Sequence, residues 1–233
     1  MKKGKIISIF VIVIIGISIL YYGCTAFSVN ETVQMDGHSV EQLLNQYYDL
    51  NSEALKNVET TLNQLDGLIE ESFNEAISKR SISLNTAKKR IAHMQRVSFL
   101  ALELMKAYEE SEGVNFTKQQ AEDLMIAAYL HDIRKYADGN HAKQGANYVL
   151  ENLQGYININ ELRLERISQL IKYHSNSLSE KQMAKLGEDA ILAQLLQDAD
   201  TVDKIINQNE DKDLVKTLNL QSSIDVVAAY QGK

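Results

Sequence analysis

Several acidic and imidazole side chains of this chain fall where a helix should be apolar. His93, His131, Asp132, His174 and Asp200 each continue an apolar stripe at helical spacing. Burying an ionisable group is costly unless the group is paired or bound to a metal. Neutral imidazoles and carboxylates are ligands of divalent cations, which lower the pKa of bound water towards neutrality. Each residue alone is compatible with an ordinary core position, but together they predict a metal centre that activates water.

The order of these residues resembles the HD-domain superfamily of metal-dependent phosphohydrolases. The matching strings are "RIAHMQRV", "AAYLHDIRKY" and "LLQDADTVDKI". The resemblance implies that His93, His131, Asp132 and Asp200 bind the metal and that Asp132 is also catalytic. Asp200 takes the last ligand position because it begins the A-D-x-x-D pattern, and Asp198 is an accessory candidate.

Two further histidines suggest a second ion. His141 in "HAKQGANYVL" is similar to the HxxxGA step of HD enzymes that hold two metals, and His174 in "IKYHSN" is similar to their next histidine. His141 is also compatible with a surface position near a helix N-terminus. We therefore expect one or two divalent ions per chain, and the sequence does not distinguish Mn, Fe, Mg, Co, Ni or Zn.

The same resemblance gives candidate contacts to a phosphate group. Lys135, also a candidate catalytic residue, holds the position of the lysine in the family's HDIGK string, and Arg96 holds the arginine of HxxRV. Arg134 replaces the usual glycine of HDIGK and would stand at the mouth of the site. Lys135 and Arg96 are also compatible with surface cations whose stems cover apolar surface.

The function implied by the resemblance is hydrolysis of a phosphate mono- or diester by metal-activated water. The substrate would be nucleotide-like or another small phosphorylated compound. The GYP signature of cyclic di-guanylate phosphodiesterases and a KH-like GXXG segment are both absent, which disfavours that subclass and RNA cleavage. The alternative is a catalytically inactive HD module that acts as a membrane-tethered ligand sensor or protein-binding domain.

Composition favours an all-α fold and disfavours broad electrostatic capture of nucleic acid. Pro is absent, Gly is only 11, and helix-forming residues dominate. The net charge of -7 provides no excess of basic residues for a phosphate backbone. A small phosphorylated substrate remains compatible with this charge, because a bound metal supplies positive charge. The oligomeric state is not predicted.

The N-terminus predicts attachment to a membrane. Three lysines precede an apolar run over 6–22, near the ~20 residues that cross a bilayer. The run fits an uncleaved anchor, a lipoprotein signal acylated at Cys24, or a cleaved secretory signal. The next Lys or Arg is Lys56, so the charge bias places the rest of the chain outside the cytoplasm. A domain facing the cytoplasm is the alternative.

The remaining chain divides by its hydrophobic pattern. We predict an anchor or signal over 1–23, a linker over 24–38, a helical packing region over 39–83, an HD domain over 84–208 and a C-terminal extension over 209–233. Thr117 and Gln120 have capping-box spacing, Asn160 can cap a helix, and Gly113 can end one. The predicted helices of the second half are about Thr86–Glu110, one from Thr117, His141 to near Gly155, one from Asn160, and roughly Glu188–Asn207.

Overall fold

A computed structural model describes residues 52–79, 81–207 and 212–231 of the chain. These residues are helical or lie in short connections, and they contain no strand. The predicted all-α fold is therefore confirmed for this part of the protein. The helices are α1 Ser52–Ser78, α2 Leu84–Glu112, α3 Lys118–Leu130, α4 His141–Asn152, α5 Glu161–Tyr173, α6 Glu180–Leu186, α7 Ala190–Asn207 and α8 Gln221–Gln231.

The chain consists of two compact units, Met1–Asp66 and Gly67–Lys233. Of the first unit the structure describes residues 52–66, which are helical. The predicted membrane segment and linker lie outside the described residues. Among the residues that are described, no helix is both long and apolar enough to span a bilayer.

The helices of the second unit begin at side chains that satisfy free backbone N–H groups. Thr117 forms the predicted capping box with Gln120, and Ser179 forms another with Gln182. The side chain of Asn160 accepts a hydrogen bond from the backbone N–H of Arg163 at 3.0 Å, as its predicted capping role requires. Such caps contribute about 1 kcal/mol each and fix where a helix starts. The caps therefore set the register of the helices that carry polar core residues.

The core of the second unit forms around α2, which packs against α3, α7 and α8, while α5 packs against α3 and α4. Met94, Val97, Leu104, Leu124 and Leu196 are completely buried. Burying one such side chain contributes roughly 1.5–3 kcal/mol. This packing holds α2, α3, α5 and α7 together, and these helices carry or precede the candidate ligands.

Two helices were not predicted. α6 is short and exposed, so it has no apolar stripe, although the Ser179–Gln182 capping box was visible in the sequence. α8 follows a short 3₁₀ segment, Lys212–Thr217, in the region taken as a C-terminal extension. The backbone N–H groups of Asn219 and Leu220 donate to the carboxylate of Asp198 at 2.8 and 3.0 Å. This buried carboxylate thus fastens the C-terminal segment to α7.

Candidate metal centre

A first group of ligands forms where α2, α7 and the end of α3 meet. His93 Nε2 lies 3.1 Å from Asp200 Oδ1 and 4.0 Å from Asp132 Oδ2. His131 Nε2 lies 3.7 Å from both of these carboxylate oxygens. All four residues are buried. The arrangement brings two imidazoles and two carboxylates to one point.

The orientation of His131 suits it to bind a cation. Its Nδ1 is 2.7 Å from the backbone oxygen of Ala128, which can only accept, so Nδ1 carries the proton and Nε2 carries the lone pair. Burial lowers the pKa of His131 to about 4, so the ring is neutral at neutral pH. Nε2 has no hydrogen-bond partner within the described part of the chain. A buried lone pair in this state is what a divalent cation requires, and the residues present fit such an ion.

A second group lies on the other oxygen of Asp132. Asp132 Oδ1 is 3.3 Å from His141 Nε2 and 3.5 Å from His174 Nε2, and the two histidine atoms are 3.3 Å apart. His174 Nδ1 donates to the backbone oxygen of Ile171 at 2.7 Å, so its Nε2 also offers a lone pair. His93, His131, His174 and His141 thus form a row, with neighbouring ring centroids 5.2, 5.0 and 5.2 Å apart.

Asp132 belongs to both groups. Ligand atoms of His93, His131 and Asp132 lie within 4.8 Å of one another, and so do those of Asp132, His141 and His174. Burial alone would raise the pKa of Asp132, but the imidazoles of His131, His141 and His174 hold it well below its usual range. The carboxylate is therefore charged and offers one oxygen to each group.

An outer carboxylate holds the first histidine in place. Asp203 is completely buried, and its Oδ2 is 2.7 Å from His93 Nδ1. Arg96 donates to both oxygens of Asp203, at 2.6 and 3.0 Å, and Asn207 donates at 2.9 Å. A carboxylate behind a ligating histidine fixes its tautomer and ring orientation. Burial by itself would lower the pKa of His93. The contacts with Asp200 and Asp203 outweigh this effect, so the pKa of His93 is raised above its ordinary value.

Three cations surround the two ligand groups. Arg90 donates to Asp132 Oδ2 at 2.9 Å, Lys135 Nζ lies 3.3 Å from Asp132 Oδ1, and Lys204 donates to Asp200 Oδ2 at 2.7 Å. The side chains of these three residues are 24, 30 and 31 % exposed. They are therefore within reach of both the buried carboxylates and an anionic ligand entering from solvent.

The second half of α1 and a glycine in α4 support the turn that carries the ligands. Ser72 donates to the backbone oxygen of Ile133 at 2.7 Å, and Arg134 donates to Glu75 at 2.6 Å. A Cβ atom at Gly145 would lie 3.3 Å from Ile171 and 3.6 Å from the backbone oxygen of His131. The glycine of the HxxxG step thus lets α4 approach closely enough for His141 to join the site.

The comparison with protein families agrees with this geometry. A family model described as HD domain matches residues 90–205, which contain all six candidate ligands. The chain belongs to the HD-domain family. Neither the curated proteins nor the solved structures include a match to this chain.

Within the HD domain, most of the predicted site residues lie together. The structure places six of them within the two ligand groups, and Lys135 lies beside the second group. Arg134 and Arg96 are each paired with a carboxylate, Glu75 for Arg134 and Asp203 for Arg96. Their predicted contact with substrate stays a prediction.

The roles of three residues of the HD domain site were not predicted from the sequence, and a fourth was expected to have a different partner. Arg90 and Lys204 contact ligand carboxylates. Arg90 is three residues before His93 and Lys204 is four residues after Asp200, and this helical spacing could have predicted that both lie on the same face as the ligands. Asp203 was seen only as part of a pattern, without its role behind His93. Asp198, named as an accessory ligand, instead accepts the backbone N–H groups of 219 and 220.

Proposed function

We propose that this chain is a metal-dependent phosphohydrolase that cleaves a phosphate mono- or diester of a nucleotide-like or other small phosphorylated substrate. One observation carries the proposal: two groups of imidazole and carboxylate atoms, buried except for the partly exposed His141, share Asp132. Membership of the HD-domain family supports it. Because each group has its own oxygen of Asp132 and its own two histidines, two divalent ions per chain are favoured over one.

The side chains of the first group would hold one ion, and those of the second group the other. His93, His131 and Asp200 complete the first group, while His141 and His174 complete the second. Asp132 offers Oδ2 to one group and Oδ1 to the other, which fixes both relative to each other. When bound, the ions supply a water of lowered pKa and neutralise charge on the phosphoryl oxygens.

The cations around the ligands would position the substrate. In the structure Arg90, Lys135 and Lys204 pair with ligand carboxylates. If those carboxylates were bound to ions, the three cations would be available to donate to phosphoryl oxygens. Lys135, which lies between Asp132 and His141, is the cation that we expect to contact the transferred phosphate most directly.

A screen of phosphate esters tests this function. The full chain is treated with a chelator, reloaded with Mn²⁺, Fe²⁺, Mg²⁺, Co²⁺, Ni²⁺ or Zn²⁺ in turn, and assayed for phosphate release from mono- and diesters. We expect turnover with at least one ion and its loss in Asp132→Ala. Asp213→Ala is the matched control, because Asp213 forms an exposed ion pair with Lys216. Turnover that persists in Asp132→Ala contradicts the assignment, whereas ligand binding without turnover under every ion supports the sensor alternative.

We also propose that the HD domain is attached to a membrane through residues 1–23 and faces away from the cytoplasm. The support is the lysine-rich start, the apolar run and the acidic stretch that follows. A reporter fused to the C-terminus tests the orientation. Activity confined to a reporter that works only in the cytoplasm would overturn it.

A further inference from the structure

A surface cavity of about 190 Å³ lies where the start of α4, the end of α5 and α6 meet. It is lined by Asn140, Lys143, Lys172, Tyr173, Asn176 and Gln182. Asn140 directly precedes His141, and Tyr173 directly precedes His174, so the Cα atoms of each pair are about 3.8 Å apart. The cavity therefore adjoins the backbone that positions two of the candidate ligands.

The lining of this cavity suits an anion. Two of its six residues are lysines, three carry side-chain amides, and none is acidic. Lysine ammonium groups and amide N–H groups are donors to phosphate and carboxylate oxygens. The Lys172 ammonium lies 5.4 Å from the centre of the Tyr173 ring, which holds it at the cavity wall.

The two lysines differ from the other cations near the site. Arg90, Lys135 and Lys204 each have a carboxylate partner. Neither Lys143 nor Lys172 forms an ion pair with any carboxylate that the structure describes, although the chain has 31 acidic and only 24 basic residues. Two lysines at one cavity, neither with a described carboxylate partner, leave positive charge available for a ligand.

The cavity is also built into the frame of the site. The side chain of Gln197 donates to the backbone oxygens of Tyr173 and Asn176, both at 2.6 Å. Gln197 lies in α7, three residues before Asp200. The wall of the cavity is thus fastened to α7, the helix that carries the candidate ligand Asp200.

We propose that this cavity binds a second anionic group of the substrate, so that the preferred substrates are phosphate esters whose alcohol part carries another phosphate or a carboxylate. This inference rests on the proposed function and narrows its substrate class. The cavity volume of about 190 Å³ has room for one such group. The scissile phosphate would occupy the metal centre while the second anion occupies the lysine cavity.

The test uses bisphosphates of linear diols with three to six carbons, together with the monophosphates of the same diols. Binding to the Mn²⁺-loaded full chain is measured by calorimetry, which does not require turnover. We expect one bisphosphate length to bind on the order of 10-fold more tightly than its monophosphate. In the double variant Lys143→Ala/Lys172→Ala this preference disappears, while the affinity for the monophosphate is unchanged.

Lys118→Ala is the matched control. Lys118 is an exposed lysine at the first position of α3, about 20 Å along the helix axis from His131. Equal affinity for mono- and bisphosphates at every length overturns the inference, even if monoesters are hydrolysed. So does an equal loss of the bisphosphate preference in Lys118→Ala. If no ester is hydrolysed but the lysine-dependent preference is found, the proposed reaction fails and the anion cavity stands.

Discussion

Replacing Asp203 by asparagine separates the positioning of a ligand from the stability of the fold. Asp203 is not one of the candidate ligands, but its Oδ2 accepts from His93 Nδ1 at 2.7 Å. Asparagine keeps the shape of the side chain and removes its charge. It also leaves only one acceptor oxygen for the donors of His93, Arg96 and Asn207. We expect the His93 ring to lose its fixed orientation.

The expected effect on metal binding follows from the role of such carboxylates. Changing the partner behind a ligating histidine lowers metal affinity by about 10- to 100-fold, or roughly 1.4–2.7 kcal/mol. The metal-free protein should also lose stability, because Arg96 is left without its charged partner. Arg96 is 19 % exposed, and water can partly replace that partner, so we expect about 1–3 kcal/mol.

The matched control is Asp123→Asn. Asp123 is also completely buried and bonded to two arginines, Arg163 at 2.7 Å and Arg166 at 2.9 Å. It lies eight residues before His131 in α3. Its replacement should destabilise the fold by a similar amount without changing the metal affinity of the folded protein. Mn²⁺ titration by calorimetry and urea unfolding of the chelated protein measure the two effects.

The comparison of the two variants can refute the reasoning. Unchanged Mn²⁺ affinity in Asp203→Asn would show that the carboxylate does not position His93. An equal loss of affinity in both variants would show that general loosening of the fold, and not the orientation of one ring, controls binding.

Two other predictions concern the second ligand group and acid sensitivity. His141→Ala removes one ligand of the second group only, so we expect the bound metal to fall from about two ions per chain to about one, measured by elemental analysis. In the chelated protein, His131 has a pKa of about 4 against an ordinary value of 6.5, so between these values the unfolded state binds a proton that the folded state does not. Stability should therefore fall by roughly 3 kcal/mol as pH drops from 6.5 to 4, and urea unfolding of His131→Gln should show a flatter dependence.

The candidate ligands could be found from the sequence because helical periodicity shows which polar residues face the core. His93 and Asp200 lie within helices, and each continues an apolar stripe. Periodicity does not show which atoms of these side chains meet. That Asp132 is shared by two groups depends on the turn after α3 and on the close approach of α4 at Gly145.

Interactions between distant helices account for what the sequence did not reveal. Asp198 and Asp200 are two residues apart, which turns them to different sides of α7. Asp200 meets His93, whereas Asp198 meets the backbone of Asn219 and Leu220. These two residues directly precede α8, a helix whose weak apolar pattern did not predict it. The pairing of Arg96 with Asp203 likewise spans two helices far apart in sequence.

The metal content of the full chain and of Asp132→Ala tests the central claim most directly. Elemental analysis after loading with Mn²⁺ and removal of free ions should give about two ions per chain in the unaltered protein, because each group has three candidate ligands or more. Asp132→Ala should retain less than about one ion, since both groups lose the carboxylate that they share. Equal metal content in the two proteins would contradict the proposed centre.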